Sequence, residues 1–178
     1  MKPLRRFVPL DKALHDREAF DCGTQALNTF LQQHARRGMD TGVSYTWVLP
    51  EAGAAKGEKK RICAWYTLTV AHVEHADMPA DAAKQLPHYP LPVFVLAQLA
   101  VDRQCQRQGL GDVALINALR RCAQLSQKGK VPAVAVVVDV LNDTAMRFYC
   151  RYPDFRPLCP PPAHQQRLFI PMRIVEKL

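Results

Sequence analysis

The sequence predicts an α/β fold in which a mixed, partly parallel central sheet is flanked by helices, and three observations carry that prediction. An apolar run from Val93 to Val101, broken only by Gln98, reads as a strand buried on both faces. A polar turn with glycines follows it and opens a long helix. Beyond the helix comes a second apolar run, Val131 to Val140, rich in β-branched residues. Two buried strands joined through a helix form a βαβ unit, whose strands are parallel because the crossover returns the chain to the same end of the sheet. At 178 residues the chain is long enough for one substantial core and too short for two comfortable ones, so a single domain over 1–178 is expected.

The remaining elements follow in order. Leu4 to Leu10 reads as a short first strand. Phe20-Asp21-Cys22-Gly23-Thr24 reads as a turn with Thr24 as N-cap, after which Leu27, Phe30, Leu31 and Ala35 recur at helical spacing. Arg36, Arg37 and Gly38 are expected to close that helix, with cations on its C-terminal end and a C′ glycine. Ser44 to Leu49 and Arg61 to Val73 alternate as strands, joined by a small, charged, glycine-containing hairpin loop. A helical patch covers Ala80 to Leu86, and Pro87, Pro90 and Pro92 then lead into the first buried strand. The long helix carries Gly111, Leu115, Ala118, Cys122 and Leu125 on one stripe, and Lys128-Gly129-Lys130 stops it. After the second buried strand, Asn142, Asp143 or Thr144 caps a helix bearing Phe148, Tyr149 and Tyr152. A proline-rich turn and a last strand, Arg167 to Val175, complete the chain.

Composition narrows the functional classes. With 48% hydrophobic and 22% charged residues the chain reads as an ordinary soluble protein, and a formal net charge of +8 favours an acidic partner such as nucleic acid or a phosphorylated cofactor. No stretch reaches membrane-spanning length, and charged residues interrupt any signal-peptide core near the start. The six cysteines form no C-x-x-C pair and the six histidines no ligand spacing, so no metal site is expected. Free thiols in a reducing cytoplasm are the default.

The junction of the first buried strand and the long helix is the chemical centre of the sequence. Glycines let backbone approach a ligand closely, and the unpaired N–H groups of a helix's first turn, with its dipole, favour a phosphate or pyrophosphate. The N–H groups of Gln108, Gly109, Leu110, Gly111 and Asp112 would form the cradle. A dinucleotide fold would need G-x-G-x-x-G and a Walker loop G-x-x-x-x-G-K-[ST]; neither is present. What is present is Gln106-x-x-Gly109-x-Gly111. Two glycines at a helix start are also a common tight turn.

That hexapeptide resembles the [RQ]-x-x-G-x-[GA] signature of GNAT-family N-acetyltransferases, and the order of elements is similar to the GNAT (acyl-CoA N-acyltransferase) fold over nearly the whole chain. Within the family the chain resembles the toxin branch of type II toxin–antitoxin systems (TacT-like and AtaT-like). Three signatures carry this: Phe20-Asp21-Cys22-Gly23 with Leu27 and Leu31; Trp65-Tyr66-Thr67-Leu68; and Leu99-Ala100-Val101-Asp102 running into Gln106 to Gly111, with Asn142 and Phe148-Tyr149 downstream. Two departures stand out. Ala64 precedes Trp65 where such toxins usually carry glycine, and Cys150-Arg151-Tyr152-Pro153-Asp154-Phe155 replaces the usual aromatic-Gly-Phe.

The resemblance implies acetyl-CoA as cofactor, held by Leu99, Ala100 and Val101, by Gln106, Arg107, Gln108, Gly109, Leu110, Gly111 and Asp112, and by Asn142 and Phe148. The backbone of Ala100 and Val101 would lie along the pantetheine, with the Val101 N–H polarising the thioester carbonyl. Tyr149 matches the catalytic tyrosine that protonates the departing sulfur, with Asn142 as its catalytic companion; a core aromatic for the first and a helix N-cap for the second are the plain alternatives. The toxin branch acetylates aminoacyl-tRNA, whose α-amine titrates near about 8 and so needs no strong base, unlike lysine near about 10.4. Arg36, Arg37, Lys59 and Lys60 are candidate tRNA contacts, with dipole complementation as the plain reading of the first two. A ribbon-helix-helix antitoxin and a homodimer are the implied partners. Two other readings stay open: a GNAT acetyltransferase of a small amine or protein N-terminus, and a catalytically inert RNA-binding module.

Overall fold

The computed structural model describes residues 2–4, 6–53, 57–158 and 166–178. In chain order the elements are β1 (Val8–Pro9), β2 (His15–Asp16), α1 (Gln25–Thr29), α2 (Ala35–Asp40), β3 (Tyr45–Pro50), β4 (Lys60–Val73), α3 (Ala80–Ala83), β5 (Leu91–Val101), α4 (Leu110–Gln127), β6 (Ala135–Val140), α5 (Asp143–Tyr149), β7 (Arg156–Pro157), β8 (Gln166–Pro171) and α6 (Met172–Val175). The strands hydrogen-bond in the order β1-β3-β4-β5-β6-β8-β7, with β2 beside β4. β5 and β6 run parallel, as do β2 and β4, while β3–β4 and β6–β8 are antiparallel. The expected mixed sheet is therefore present. The chain divides into two compact units, 1–69 with 98–118 and 70–97 with 119–178.

In the first unit, β3 and β4 form the expected hairpin, registered from Tyr45↔Leu68 to Pro50↔Ile62 with an irregularity between Leu49 and Pro50. Part of its charged connection, 54–56, lies outside the described residues. Leu10, Phe20, Leu31, Ala35, Val48, Ile62, Trp65 and Ala100 make the core. Trp65 organises it: Phe30 stacks on the indole at 5.7 Å and 10°, and Phe20 meets it edge-on at 6.2 Å. Such pairs add about 0.5–1.5 kcal/mol each beyond area burial. Two of the sequence signatures thus fold onto one another. Ala64, where the toxins usually have glycine, is fully buried opposite Leu49 and is accommodated in the packing.

The first helix departs from expectation at both ends. Thr24 stands at its start, but its hydroxyl makes no capping bond; only its carbonyl accepts from the Leu27 and Asn28 N–H groups. The helix does not stop after Arg37. It passes through a π-helical turn, Phe30–His34, and continues as α2 to Asp40. Gly38 lies inside α2, where a Cβ would collide with the Ser44 hydroxyl, and the left-handed residue beyond the helix is Gly42 at φ +72°. Gly38 therefore serves close approach and Gly42 serves the turn.

In the second unit, β5 pairs with β6 from Val93↔Ala135 to Leu96↔Val138, and β6 pairs along its whole length with β8. Val73, Leu91, Val93, Val95, Ala135, Val137, Leu158 and Phe169 pack together as its core. The second buried strand begins at Ala135, not Val131. The cause is the end of α4: Gly129 and Val131 donate to the Gln124 and Leu125 carbonyls, and Lys130 between them takes φ +53°. The Lys-Gly-Lys stop is correct, yet the left-handed residue is Lys130, and Gly129 serves close approach, since a Cβ there would sit 2.6 Å from the Leu125 carbonyl oxygen. The buried stripe of α4 is Ala114, Leu115, Ala118, Leu119 and Cys122, while Leu125 is exposed and Gly111 half-buried.

The last strand also ends early. β8 stops at Pro171, which starts the helical turn Met172–Val175, and the Met172 N–H bonds the Val134 carbonyl at 2.9 Å. β1 covers only Val8–Pro9 of the expected first strand, α3 ends at Ala83, and α5 ends at Tyr149 so that Tyr152 falls in the following turn. Pro160, Pro161 and Pro162 of the proline-rich turn lie outside the described residues. Among the described residues no helix is long and apolar enough to cross a membrane.

Candidate active site

β5 outruns β6. Its pairing with β6 ends at Leu96↔Val138, yet the strand continues through Val101. Over this continuation Ala100 is buried while Leu99 and Val101 are half-buried. Asp102, 2% exposed, then turns the chain: its N–H bonds the Cys63 carbonyl, and its carboxylate accepts from the Gln104 N–H at 2.9 Å and the Asp21 N–H at 3.1 Å. Gln106, Arg107, Gln108 and Gly109 are exposed.

Two residues of this loop hold left-handed backbone, Arg107 at φ +61° and Gly109 at φ +75°. For a long side chain such as Arg107 that conformation is costly, and strain of this kind collects where a loop must present its backbone to a ligand. The first helical bond of α4 joins the Val113 N–H to the Gly109 carbonyl at 3.1 Å. At this end of α4 the dipole of an 18-residue helix adds positive potential. The loop therefore fits a pyrophosphate: an exposed, glycine-containing helix start with no Cβ at Gly109, where an added one would meet nothing within 4 Å.

The Gln106 side chain is engaged within the protein. Its Nε2 donates to the Cys22 carbonyl at 3.0 Å and to the Val101 carbonyl at 2.9 Å, so both amide protons brace the loop. The Gln108 amide likewise donates to the Gln104 carbonyl at 3.3 Å. The bond to Cys22 was not legible from the hexapeptide, since it spans 84 positions.

In the second unit, α5 follows β6 directly. Asn142 is its N-cap: the residue is extended (φ −164°, ψ 177°), and Oδ1 accepts from the Ala145 N–H at 2.9 Å. The plain reading of Asn142 is thus realised. At the other end of the helix Tyr149 is buried, its ring against Phe148 at 5.1 Å and Phe155 at 5.4 Å. Burial pushes its phenol well above the ordinary value near about 10, and the Asp139 carboxylate adds to the effect. Asp139 is itself held by Arg167, its cross-strand partner on β8, at 2.6 Å. The hydroxyl stays protonated throughout the physiological range. The unusual Cys150-to-Phe155 stretch closes two successive turns, Tyr152 N–H to Tyr149 O and Phe155 N–H to Tyr152 O, which return Phe155 to the Tyr149 ring.

The four basic candidates divide. Arg36 is committed, with Nη2 2.7 Å from Asp40 and Nη1 donating to the Leu10 carbonyl. Lys60 is half-buried at the start of β4, while Arg37 and Lys59 are exposed.

A strand that runs past its parallel pairing into a glycine-containing helix start is the arrangement expected of acyl-CoA-dependent N-acyltransferases. The chain belongs to the GNAT acetyltransferase family: the Acetyltransferase (GNAT) family profile matches residues 70–152, and the chain is 32% identical to the tRNA-acetylating toxin of Mycobacterium tuberculosis (strain ATCC 25618 / H37Rv) over 77% of this chain and 76% of that one. Among solved structures it is similar to AtaT complexed with acetyl-methionyl-tRNAfMet, at 27% identity, 97% coverage of both chains and TM-score 0.82. It is also similar to a mutant AtaT toxin bound to the C-terminus of the antitoxin AtaR and acetyl-CoA, at 25% identity, 97% of this chain and 96% of that one, TM-score 0.77.

Proposed function

We propose that residues 1–178 form one acetyl-CoA-dependent N-acetyltransferase domain, a toxin that acetylates the α-amino group of aminoacyl-tRNA and so blocks translation. The observation that carries this reading is the likeness, over 97% of both chains, to a toxin solved with its acetylated tRNA. Bound acetyl-CoA supplies an activated thioester. The loop amides from Gln108 to Asp112 and the side of Arg107 would hold its pyrophosphate, and Leu99, Ala100 and Val101 would offer backbone along its length, with the Val101 N–H as oxyanion donor. Phe148 supplies an apolar face. The bound thioester would supply the acetyl group to the neutral α-amine, and the part of Tyr149 is to keep a proton on its hydroxyl for the departing sulfur. Asn142 acts by capping α5 and so fixing the helix that carries Tyr149.

The acceptor is charged tRNA in the cytoplasm. A homodimer and a ribbon-helix-helix antitoxin complete the system. Exposed cations, Arg37 and Lys59 first, neutralise the RNA phosphates, and Arg36 and Lys60 contribute less because they are already engaged or half-buried. Replacing Arg37 and Lys59 by neutral residues is expected to flatten the log–log salt dependence of charged-tRNA binding by about one unit for each phosphate left without its cation, with acetyl-CoA affinity unchanged. Filter binding between low and physiological salt checks this. An unaltered slope would remove these residues from the RNA surface.

A further inference from the structure

We propose that Asp21 is a positioning residue for the acetyl-CoA loop, acting with Asn28 and Gln106 to fix the 102–109 segment against the turn at 20–23. The inference rests on the reading above that this loop takes acetyl-CoA. Asp21 does not belong to the loop and acts through others. Its Oδ1 accepts from the Gly23 N–H and from Asn28 Nδ2, each at 2.8 Å; its Oδ2 lies 3.1 Å from Arg103 Nη1; its carbonyl accepts from the Arg103 N–H at 2.8 Å; and its N–H donates to Asp102 at 3.1 Å. Asn28, 7% exposed, closes the circuit by accepting from the Cys22 N–H at 3.0 Å, and the Cys22 carbonyl receives Gln106 Nε2. Gly23 at φ +90° lets the Arg103 guanidinium lie over it, since a Cβ there would come within 3.0 Å of Arg103 Nε.

The hydrophobic contact of Phe20 with Trp65 brings the turn to this place, but apolar packing is not directional. Hydrogen bonds are, and these tie the turn to both ends of the loop: Asp102 and Arg103 where it leaves β5, Gln106 three residues before Gly109. The network therefore sets where the loop amides point. Donors from Asn28 and Gly23, and the Arg103 cation beside them, hold the Asp21 carboxyl below the usual carboxylate range, so it stays an acceptor at working pH. Removing its oxygens leaves the buried Asn28 amide unsatisfied and frees the segment to drift, and a displacement of about 1 Å in a binding element costs on the order of 10²-fold.

Titration calorimetry with coenzyme A tests this on the full chain. Asp21→Ala is expected to weaken binding about 10²-fold while a single cooperative thermal transition persists. Asp21→Asn, which keeps an oxygen for Asn28 and Gly23 and loses only an exposed ion pair, is expected to stay within a few-fold of the parent. Asp21→Ala combined with Gln106→Ala is expected to lose little more than the worse single variant, because both cut one circuit. If Asp21→Ala does not fold, Gln106→Ala carries the test, its exposed side chain being dispensable for the core. Unchanged affinity in the folded variants, with only a lower melting temperature, overturns the proposal. A parent protein that does not bind coenzyme A overturns instead the assignment of the loop, and this proposal with it.

Discussion

Tyr149→Phe is expected to reduce turnover by about 10²–10⁴-fold while leaving the fold and acetyl-CoA affinity as they are. The substitution removes one hydroxyl from a ring packed between Phe148 and Phe155, so the aromatic contacts persist and the effect isolates the proton. In free energy the loss corresponds to about 3–5 kcal/mol of transition-state stabilisation. The pH profile separates this role from a structural one. Burial raises the phenol above its ordinary value near about 10, so deprotonation of Tyr149 produces no alkaline decline in kcat/KM below that pH. Activity instead rises with pH as the acceptor α-amine, near about 8, loses its proton, and then levels. Steady-state kinetics from pH 6 to about 9.5 on the parent and the variant check both statements. Turnover within a few-fold of the parent throughout would assign the proton to another donor.

Gly109→Val is expected to lower coenzyme A affinity by about 10²-fold or more. No protein atom lies within 4 Å of the added Cβ, so collision inside the protein is not the cause. At φ +75° a β-branched residue is strained by about 1–2 kcal/mol, and relief of the strain moves the amides that follow it. Whatever conformation results, a side chain now occupies the space a phosphate must enter. Gly57 supplies the control. It also has positive φ, +92°, and open space around its Cβ, but it sits at the end of the β3–β4 connection. Gly57→Val is expected to carry a similar backbone penalty with parental coenzyme A affinity. Equal affinities in both variants would detach the pyrophosphate from Gly109.

What could be read in the chain was local. The apolar run of β5, the glycines beyond it and the β-branched run of β6 each declare themselves within about ten residues, because burial and backbone freedom leave their mark on neighbouring positions. Asn142 before an acidic first turn is equally a local signal, and its Oδ1 caps α5 as expected. What was missed depends on which atoms a bend or a distant segment brings together. Whether Gly38 serves a turn or a close approach is decided by Ser44 across the bend, and the left-handed position moves to Gly42. Lys130 takes the positive φ while Gly129 is pressed against the Leu125 carbonyl, a division invisible in the letters Lys-Gly-Lys.

The site shows the same division. Gln106 was recognisable as a position, but its work as a brace appears only when Cys22, 84 residues earlier, is brought to it. Asp21 belonged to a recognisable signature, Phe-Asp-Cys-Gly, without any local clue that its carboxylate organises Gly23, Asn28 and Arg103. Asn117, on α4, accepts from the Tyr66 hydroxyl at 2.7 Å and so ties that helix to β4. Polar tethers of this kind have no periodicity to betray them.

The most direct test of the central claim is acetyl transfer itself. Purified protein, acetyl-CoA labelled in the acetyl group and a pool of aminoacyl-tRNAs are combined, and the label is followed into RNA and then, after mild deacylation, onto the released amino acids. The expected result is N-acetylated amino acid recovered from the tRNA fraction, abolished by Tyr149→Phe. Charged tRNAs left unlabelled, while polyamines or protein N-termini acquire the acetyl group, would contradict it.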